Sequence, residues 1–260
     1  MPSPSIDAPR FLLNVVIIGW QGFGEKAQHI AEGLAQAPDV LLRVIYSNAA
    51  EADETGPGEW IKVPNSHYFG LKFRRAVADF QGDALVIIQA DAACDDWPQL
   101  LQRCRQAFAA NAALGIWAPK IDYTPWTPER VDIRPDPSGS MTHVAHTDGI
   151  VTAFSSAVVR RLQALNYDDN NIGWGIDWIA ICHCYTQGLQ VMRDDGLLVL
   201  HPPSRGYDTR QATRQWLEFM GQMSAAEQSM FEILKRYTHE KKKGPLAKLK
   251  ASIRRRLNRR

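Results

Sequence analysis

Apolar residues in the first half of the chain form short runs separated by segments with helical character. LLNVVIIGW (12–20), VLLRVIYSN (40–48) and DALVIIQAD (83–91) are largely apolar without strict alternation, which is typical of strands buried on both faces of a sheet. Helices are predicted at 25–37, 70–80 and 97–111. This alternation of strand and helix predicts a parallel sheet covered by helices on both faces, which is an α/β fold.

The second half of the chain has a more mixed pattern. Helices are predicted at 157–165 and 176–187, with one or two more within 210–238. The stretch 122–148, which holds four prolines, is predicted to be irregular, and 49–59 to be a loop. Further strands are predicted at 60–64, GIWAPKI (115–121), GIVTAFSS (149–156), LQVMRDD (189–195) and LLVLH (197–201).

Polar side chains follow the predicted strands where each strand ends. Trp20 follows the first strand, Ser47 and Asn48 end the second, and Asp91 ends the third. The carboxyl ends of strands are where open α/β sheets place their ligands. Asp91 is therefore a candidate ligand-binding carboxylate, although an Asp that only closes a turn is the structural alternative.

The composition is typical of a globular protein in a reducing compartment. Of 260 residues, 45% are hydrophobic and 22% are charged, which allows one large domain or two small ones. Neither a secretory signal nor an apolar run of membrane-spanning length is recognisable near the N-terminus. The four cysteines (94, 104, 182 and 184) are predicted to be free thiols. We therefore expect a cytoplasmic location.

The C-terminal segment differs in charge from the rest of the chain. The overall net charge is +2, but residues 241–260 hold ten Lys or Arg and no acid, so the body is net acidic. Leu246, Leu249, Ile253 and Leu257 recur at helical spacing, a pattern that favours a helix on an anionic membrane surface at the inner face of the membrane. A solvated, disordered tail is the alternative. The acidic body and the apolar stripe both argue against a nucleic-acid partner.

Four segments resemble, in the same order, those of nucleotide-sugar glycosyltransferases of the GT-A fold, in particular the family-2-like group. NSHYFGLKFRRAVADFQGDALVIIQAD (65–91) is similar to the segment that leads through a helix and a strand into the D-x-D motif. GIVTAFSSAVVRRL (149–162) is similar to the acceptor-side strand and helix. NNIGWGIDW (170–178) is similar to the start of the catalytic helix, and LLVLHPPSRGYD (197–208) to a late strand ending in His.

The resemblance implies a fold, a division of the chain and an activity. The fold is α/β, a GT-A (Rossmann-like) three-layer fold with a mixed, mostly parallel central sheet. The expected division is a flexible N-terminus (1–10), a catalytic domain (11–208), a helical segment (209–240) and a basic amphipathic tail (241–260). The activity is transfer of a sugar from a nucleotide-sugar donor to a glycan or lipid-linked acceptor, with inversion, in cell-surface polysaccharide or glycolipid synthesis.

The resemblance also assigns metal ligands and donor-binding residues. Asp91 stands where the family has the last Asp of its motif, and His201 is the candidate second ligand of Mn²⁺ or Mg²⁺. Such an ion stabilises the charge that develops on a diphosphate leaving group. Gln89 replaces the family's usual first Asp, which removes a charge and puts metal use in doubt. The expected donor-binding residues are Trp20, Ser47, Asn48, Asn65, Lys72, Gln89 and Asp91.

Asp177 is the candidate general base that takes the proton of the acceptor hydroxyl. Its place at a helix start predicts a low pKa because the helix dipole stabilises the charged form. A purely capping Asp is the structural alternative. Gly149, Trp174 and Gly175 are the expected acceptor-binding residues.

Two other functions remain open. A nucleotidyltransferase would need basic residues in its N-terminal Gly-rich loop, where GWQGFGEK offers only Lys26. A catalytically inactive GT-A-like binding protein would account for Gln89 and for the single acid at Asp177.

Overall fold

The computed structural model describes residues 11–50, 52–137, 139–202 and 207–242. Within these ranges one sheet has the strand order β3-β2-β1-β4-β8-β5-β9-β7-β6. The strands are β1 (Leu13–Ile18), β2 (Val40–Tyr46), β3 (Glu59–Lys62), β4 (Ala84–Gln89), β5 (Leu114–Ile121), β6 (Asp132–Pro135), β7 (Met141–Val144), β8 (Val151–Ser155) and β9 (Gln190–Val199). The helices are α1 (Gly24–Leu34), α2 (Phe69–Ala78), α3 (Trp97–Ala110), α4 (Pro128–Val131), α5 (Ser156–Gln163), α6 (Ile176–Thr186), α7 (Thr209–Met220) and α8 (Ala225–Lys242).

The predicted parallel half of the sheet is confirmed. β1 pairs in parallel with β2 and β4, and Ile18 lies level with Ile45 and with Gln89. Every residue of β1 is buried, as expected for a strand covered on both faces. The carboxyl ends of β1, β2 and β4 therefore lie side by side at one edge of the sheet.

The rest of the sheet is mixed, as the sequence predicts. β8 lies antiparallel between β4 and β5, while β9 pairs in parallel with β5. The amino end of β8 consequently lies at the same edge as the carboxyl ends of β4 and β5. Residues on both sides of the chain's midpoint are thereby brought to one edge.

Two sequence predictions about this half are wrong. The stretch 122–148 is not irregular, because it contains α4 and the antiparallel pair of β6 and β7. Each of these elements is only four residues long, too short to show a period, and the prolines fit their places: Pro128 lies in the first turn of α4 and Pro135 ends the edge strand β6. The two strands predicted at 189–201 are one strand, β9, with a register irregularity against Pro119 and Lys120 of β5.

Helices cover both faces of the sheet and make three layers. Side chains from α1 and α3 pack on the face that contains Leu13, Val15 and Ile17. Side chains from α2, α5 and α6 pack on the opposite face, which contains Val16 and Ile18. The alternation along β1 thus divides its side chains between two cores.

The predicted helices at 210–238 are α7 and α8. Phe219 and Leu234 from these helices belong to the same core as α2, α5 and α6. No helix in the described part of the chain is long and apolar enough to cross a membrane. The predicted flexible N-terminus (1–10) and nearly all of the predicted basic tail (241–260) lie outside the described residues.

Candidate functional site

A cavity of about 1040 Å³ opens at the edge of the sheet where β1, β2 and β4 end. Most of the residues predicted from the sequence as site residues line it: Trp20, Ser47, Asn65, Gln89, Asp91, Gly149, Trp174, Gly175, Asp177 and His201. Segments that are distant along the chain therefore share one cavity, as the sequence predicts.

Asp91 and His201 are neighbours in this cavity. A β-bridge between Ala93 and Leu200 brings the end of β9 beside the end of β4. As a result, Nε2 of His201 lies 3.3 Å from Oδ2 of Asp91, and the hydrogen bond to that carboxylate raises the pKa of His201. The other carboxylate oxygen of Asp91, Oδ1, is buried and has no hydrogen-bond partner among the described residues.

The donor set of this pair fits a divalent cation. A buried carboxylate oxygen without a partner is costly, and a cation would satisfy it. Oxygen and imidazole ligands suit Mn²⁺, which keeps several waters when only two protein ligands are present. No cluster of three or more such ligands exists in the described residues, so Asp91 and His201 are the side chains that would hold the ion.

Gln89 connects the two sides of the cavity. Its side-chain amide donates a hydrogen bond to the carbonyl oxygen of Gly149, at 3.2 Å, and its backbone N–H donates to Ile150. Gln89 thus ties the end of β4 to the segment that enters β8.

Asp177 lies in the first turn of α6. Its Oδ1 accepts a hydrogen bond from the backbone N–H of Trp178, at 2.8 Å. Its Oδ2 lies 3.4 Å from Nε2 of His146. One oxygen is thus held by the helix while the other faces a buried imidazole.

The prediction of a low pKa for Asp177 is wrong. Burial raises the pKa to about 6, against the opposing effect of the backbone N–H groups. The Asp177 side chain is 35% exposed. The exposed part faces the cavity rather than bulk water, so the surrounding protein still disfavours the charged form. A carboxylate with this pKa is a stronger base than an ordinary Asp.

The segment before α6 is fixed by contacts with the start of α2. Asn171 accepts a hydrogen bond from the backbone N–H of Tyr68, at 2.6 Å, and donates one to the carbonyl oxygen of Ser66, at 2.8 Å. Gly175, directly before α6, has φ 93°, a left-handed conformation that favours glycine. These features set the position of Asp177.

On the donor side, the structure does not bring Lys72 or Asn48 to the cavity wall. Lys72 is completely buried, and its ammonium donates to the Gly19 carbonyl oxygen at 2.6 Å and to Ser47 Oγ at 2.8 Å. Burial lowers its pKa to about 8. Asn48 donates to Oε1 of Glu54, at 2.7 Å. Lys72 thus lies behind Ser47, which does line the cavity.

Aromatic side chains form much of the cavity wall. Trp20 stacks on Tyr68, whose ring meets the edge of Tyr207. Trp174 donates a hydrogen bond from its indole N–H to the Tyr207 hydroxyl, at 3.0 Å. A continuous aromatic surface therefore connects the residues after β1 with the segment before α6.

Sequence reasoning missed Asp148 and His146. Asp148 lines the cavity, accepts a hydrogen bond from the Thr124 hydroxyl, and has its pKa raised by burial. Both residues precede β8, and an antiparallel strand presents its amino end where parallel strands present their carboxyl ends. The polar run HTD before GIVTAFSS is a signal that could have identified them.

Comparison with known proteins gives the fold class. No family model matches the chain, and no curated protein is significantly similar to it in sequence. Among solved structures, the mannosyltransferase PcManGT from Pyrobaculum calidifontis, in complex with GDP-Man and Mn²⁺, is similar with a TM-score of 0.57 and 14% identity, covering 89% of this chain and 71% of that chain. CMP:2-keto-3-deoxy-manno-octonic acid synthetase complexed with CTP has a TM-score of 0.48 and 13% identity, covering 81% of this chain and 99% of that chain.

The likeness to the mannosyltransferase, at this identity, shows a shared fold. The protein has an α/β fold similar to GT-A-like Rossmann folds, with a nine-stranded mixed sheet flanked by helices.

Proposed function

We propose that the protein is a glycosyltransferase that moves a sugar from a nucleotide-sugar donor to the hydroxyl of a glycan or lipid-linked acceptor, with inversion. The observation that carries this proposal is that Asp91, His201 and Asp177 line one cavity. A leaving-group site and a base are the two parts that an inverting transfer needs, and both must reach the same sugar carbon.

The donor's diphosphate would lie at Asp91 and His201. The described wall carries the carboxyl groups of Asp91, Asp148 and Asp177, which would repel a diphosphate without a counter-charge. Mn²⁺ or Mg²⁺, when bound, supplies that charge and stabilises the leaving group. Asp91 and His201 would hold the ion, while Ser47 and the aromatic surface at Trp20 would contact the nucleoside.

Asp177 would act as the general base. Its Oδ2 would take the proton of the acceptor hydroxyl as the hydroxyl oxygen attacks the anomeric carbon. Its raised pKa, about 6, still leaves it mostly ionised at neutral pH and makes it more basic than an ordinary Asp. Trp174 and Gly175, which adjoin it, would contact the acceptor.

The test is turnover of a nucleotide-sugar panel with candidate acceptors. Asp177→Asn should lower the transfer rate by about 10²–10⁴-fold, the usual contribution of a general base, while binding of the nucleoside diphosphate survives in calorimetry. Asp168→Asn is the matched control, since that carboxylate is exposed and paired with Arg74 outside the cavity, and it should keep full activity.

Three outcomes would contradict the proposal. Wild-type transfer by Asp177→Asn would remove the base assignment. Pyrophosphate release from a nucleoside triphosphate and a sugar substrate would identify a nucleotidyltransferase. Nucleotide-sugar binding without turnover across the panel would identify a binding protein.

A further inference from the structure

His146 is a sealed imidazole beside the proposed base. Its exposed fraction is 1%. Its ring stacks on Trp126, with centroids 3.7 Å apart, and meets the ring of Trp178 at 4.4 Å. Packing on two sides holds the plane of the ring in place.

The contacts of His146 define which ring nitrogen carries hydrogen. Nδ1 lies 2.6 Å from the carbonyl oxygen of Thr147, and because a carbonyl only accepts, Nδ1 must donate. Burial lowers the pKa of His146 to about 3, so the ring is neutral. Nε2 therefore presents a lone pair, and this buried atom has no hydrogen-bond partner among the described residues. It lies 3.4 Å from Oδ2 of Asp177.

We propose that His146 is a positioning residue that holds the Nε2 lone pair against Oδ2 of Asp177 and so makes Asp177 a stronger base. This inference rests on the proposed function for its catalytic meaning. The contact itself can be tested without activity.

The physical reason is the difference between the two states of Asp177. When Asp177 is ionised, Oδ2 and Nε2 are two acceptors facing each other, which is unfavourable. When Oδ2 carries a proton, it can donate to Nε2 and satisfy a buried atom that otherwise has no partner. The pair therefore favours the protonated state, which is the state that forms during transfer.

The proton can be followed through the reaction. The acceptor hydroxyl loses its proton to Oδ2 as its oxygen forms the new bond to the anomeric carbon, and the sugar–phosphate bond breaks with its electron pair going to the diphosphate. Rotation about the Cγ–Oδ2 bond turns the O–H of Asp177 toward Nε2. The proton leaves to solvent once the products have left the cavity.

Other titratable groups surround the pair, and their effects on the two side chains differ. The carboxyl group of Asp177 disfavours ionisation of Asp148. Asp148 in turn favours protonation of His146, but burial has the larger effect and lowers the pKa of His146. The Arg130 guanidinium lies 4.7 Å from the ring centroid of Trp126 and opposes protonation of His146. The Cys182 thiol is neutral because burial raises its pKa to about 12.

The first test is NMR of the protein without substrate. With ¹⁵N-labelled histidine, His146 should show hydrogen on Nδ1 and stay neutral down to pH 5. With carboxyl-¹³C aspartate, assigned through Asp177→Asn, Asp177 should titrate near the value of about 6. Hydrogen on Nε2 instead of Nδ1, or protonation of His146 above pH 5, would overturn the inference.

The second test uses two variants. His146→Gln places an amide donor near the Nε2 position, so the titration of Asp177 should move down by about one pH unit. His146→Asn can keep the contact with Thr147 but lacks the facing atom, so it should give a smaller downward change. Cooperative thermal unfolding of both variants serves as the folding control. An unchanged titration of Asp177 in His146→Gln would refute the inference.

The pH profile of transfer separates this inference from the proposed function. The acidic limb of the kcat–pH profile should follow the titration of Asp177. In His146→Gln this limb should move to lower pH, and the maximal kcat should fall. A purely structural role for His146 would leave the limb at the same pH. If the titration of Asp177 moves down in His146→Gln as expected and no donor is turned over, the contact is confirmed and the proposed function is wrong.

Discussion

Two buried charged residues near the ends of the parallel strands, Asp91 after β4 and Lys72 in α2, are held in different ways. Asp91 has the imidazole of His201 beside it. Among the described residues, the acceptors within hydrogen-bond distance of the Lys72 ammonium are neutral: the carbonyl oxygen of Gly19 and the hydroxyl of Ser47. When Ser47 accepts from Lys72, its own hydrogen is free to donate into the cavity. A buried ammonium thus orients a hydroxyl that lines the candidate donor site.

Lys72 should make stability depend on pH in the alkaline range. Its pKa is lowered to about 8 in the folded protein from 10.5, so between these values the unfolded chain binds more protons. Stability therefore rises with pH through this window. Relative to Lys72→Met, the wild-type free energy of unfolding should increase by up to about 3 kcal/mol from pH 8 to 10.5, measured by denaturant titration.

The control for this prediction is Lys120→Met at an exposed position of β5. Its difference from the wild type should not vary with pH. An equally flat difference for Lys72→Met would mean that the buried ammonium titrates as an ordinary lysine.

At the scale of elements, the start of α6 is a part of the site with a strict backbone requirement. Gly175 has φ 93°, and a Cβ there would lie 3.0 Å from Met220 Sδ and from Trp216 Cδ1 of α7. Any side chain would combine backbone strain with a clash. The placement of Asp177 therefore depends on a glycine two residues earlier.

Gly175→Ala should lower stability by about 1–3 kcal/mol and also reduce kcat, because relief of the clash moves the first turn of α6. Gly188→Ala is the matched control. Gly188 also has positive φ, 72°, but no atom lies within 4 Å of its added Cβ, and it lies beyond the other end of α6. Gly188→Ala should therefore lower the stability while leaving kcat unchanged. Equal activity of the two variants would contradict the role of Gly175.

The sequence predicts elements well where they are long and uniformly apolar. β1, β2 and β4 are recognisable by their apolar runs, which are buried throughout β1, along nearly all of β4 and over the last four residues of β2. α3 is recognisable by Pro98 in its first turn and by an acidic cap, and Asp96 does accept the N–H of Gln99. β6 and β7 are missed because four residues do not establish a period. The continuity of β9 is missed because its register irregularity against β5 looks like a break.

At the scale of the whole molecule, the sheet order explains which site residues are predictable. Trp20, Ser47 and Asp91 follow parallel strands, and strand ends are a general rule for ligand sites. Asp148 and His146 precede an antiparallel strand whose neighbours cannot be read from the sequence alone. The raised pKa of Asp177 depends on its burial in the folded protein, which the sequence pattern does not reveal.

Binding of a divalent cation by Asp91 and His201 can be tested by calorimetry with a panel of nucleoside diphosphates, with and without Mn²⁺. In the wild type Mn²⁺ should strengthen binding. Asp91→Ala should lose this gain in affinity, because Oδ1 of Asp91, which has no hydrogen-bond partner among the described residues, is the oxygen available to the ion. We expect about a tenfold weaker affinity or more, as for loss of a charge-assisted contact.

Asp95→Ala controls for the loss of a nearby acid, because Asp95 is exposed and does not line the cavity. It should retain the Mn²⁺ increment. An unaltered increment in Asp91→Ala would show that Asp91 is structural and that the cation, if used, binds elsewhere.

The position of α7 bears on how the protein can be shortened for experiments. Thr213 and Trp216 line the cavity, and Gln215 accepts the backbone N–H of Ile172 at 2.9 Å. A truncated version ending at residue 208 would lose one wall of the pocket together with the brace behind the Gly-Trp-Gly turn. Crystallisation or screening work should therefore retain the chain through α8, and inactivity of a shorter fragment would say nothing about the chemistry of the intact protein.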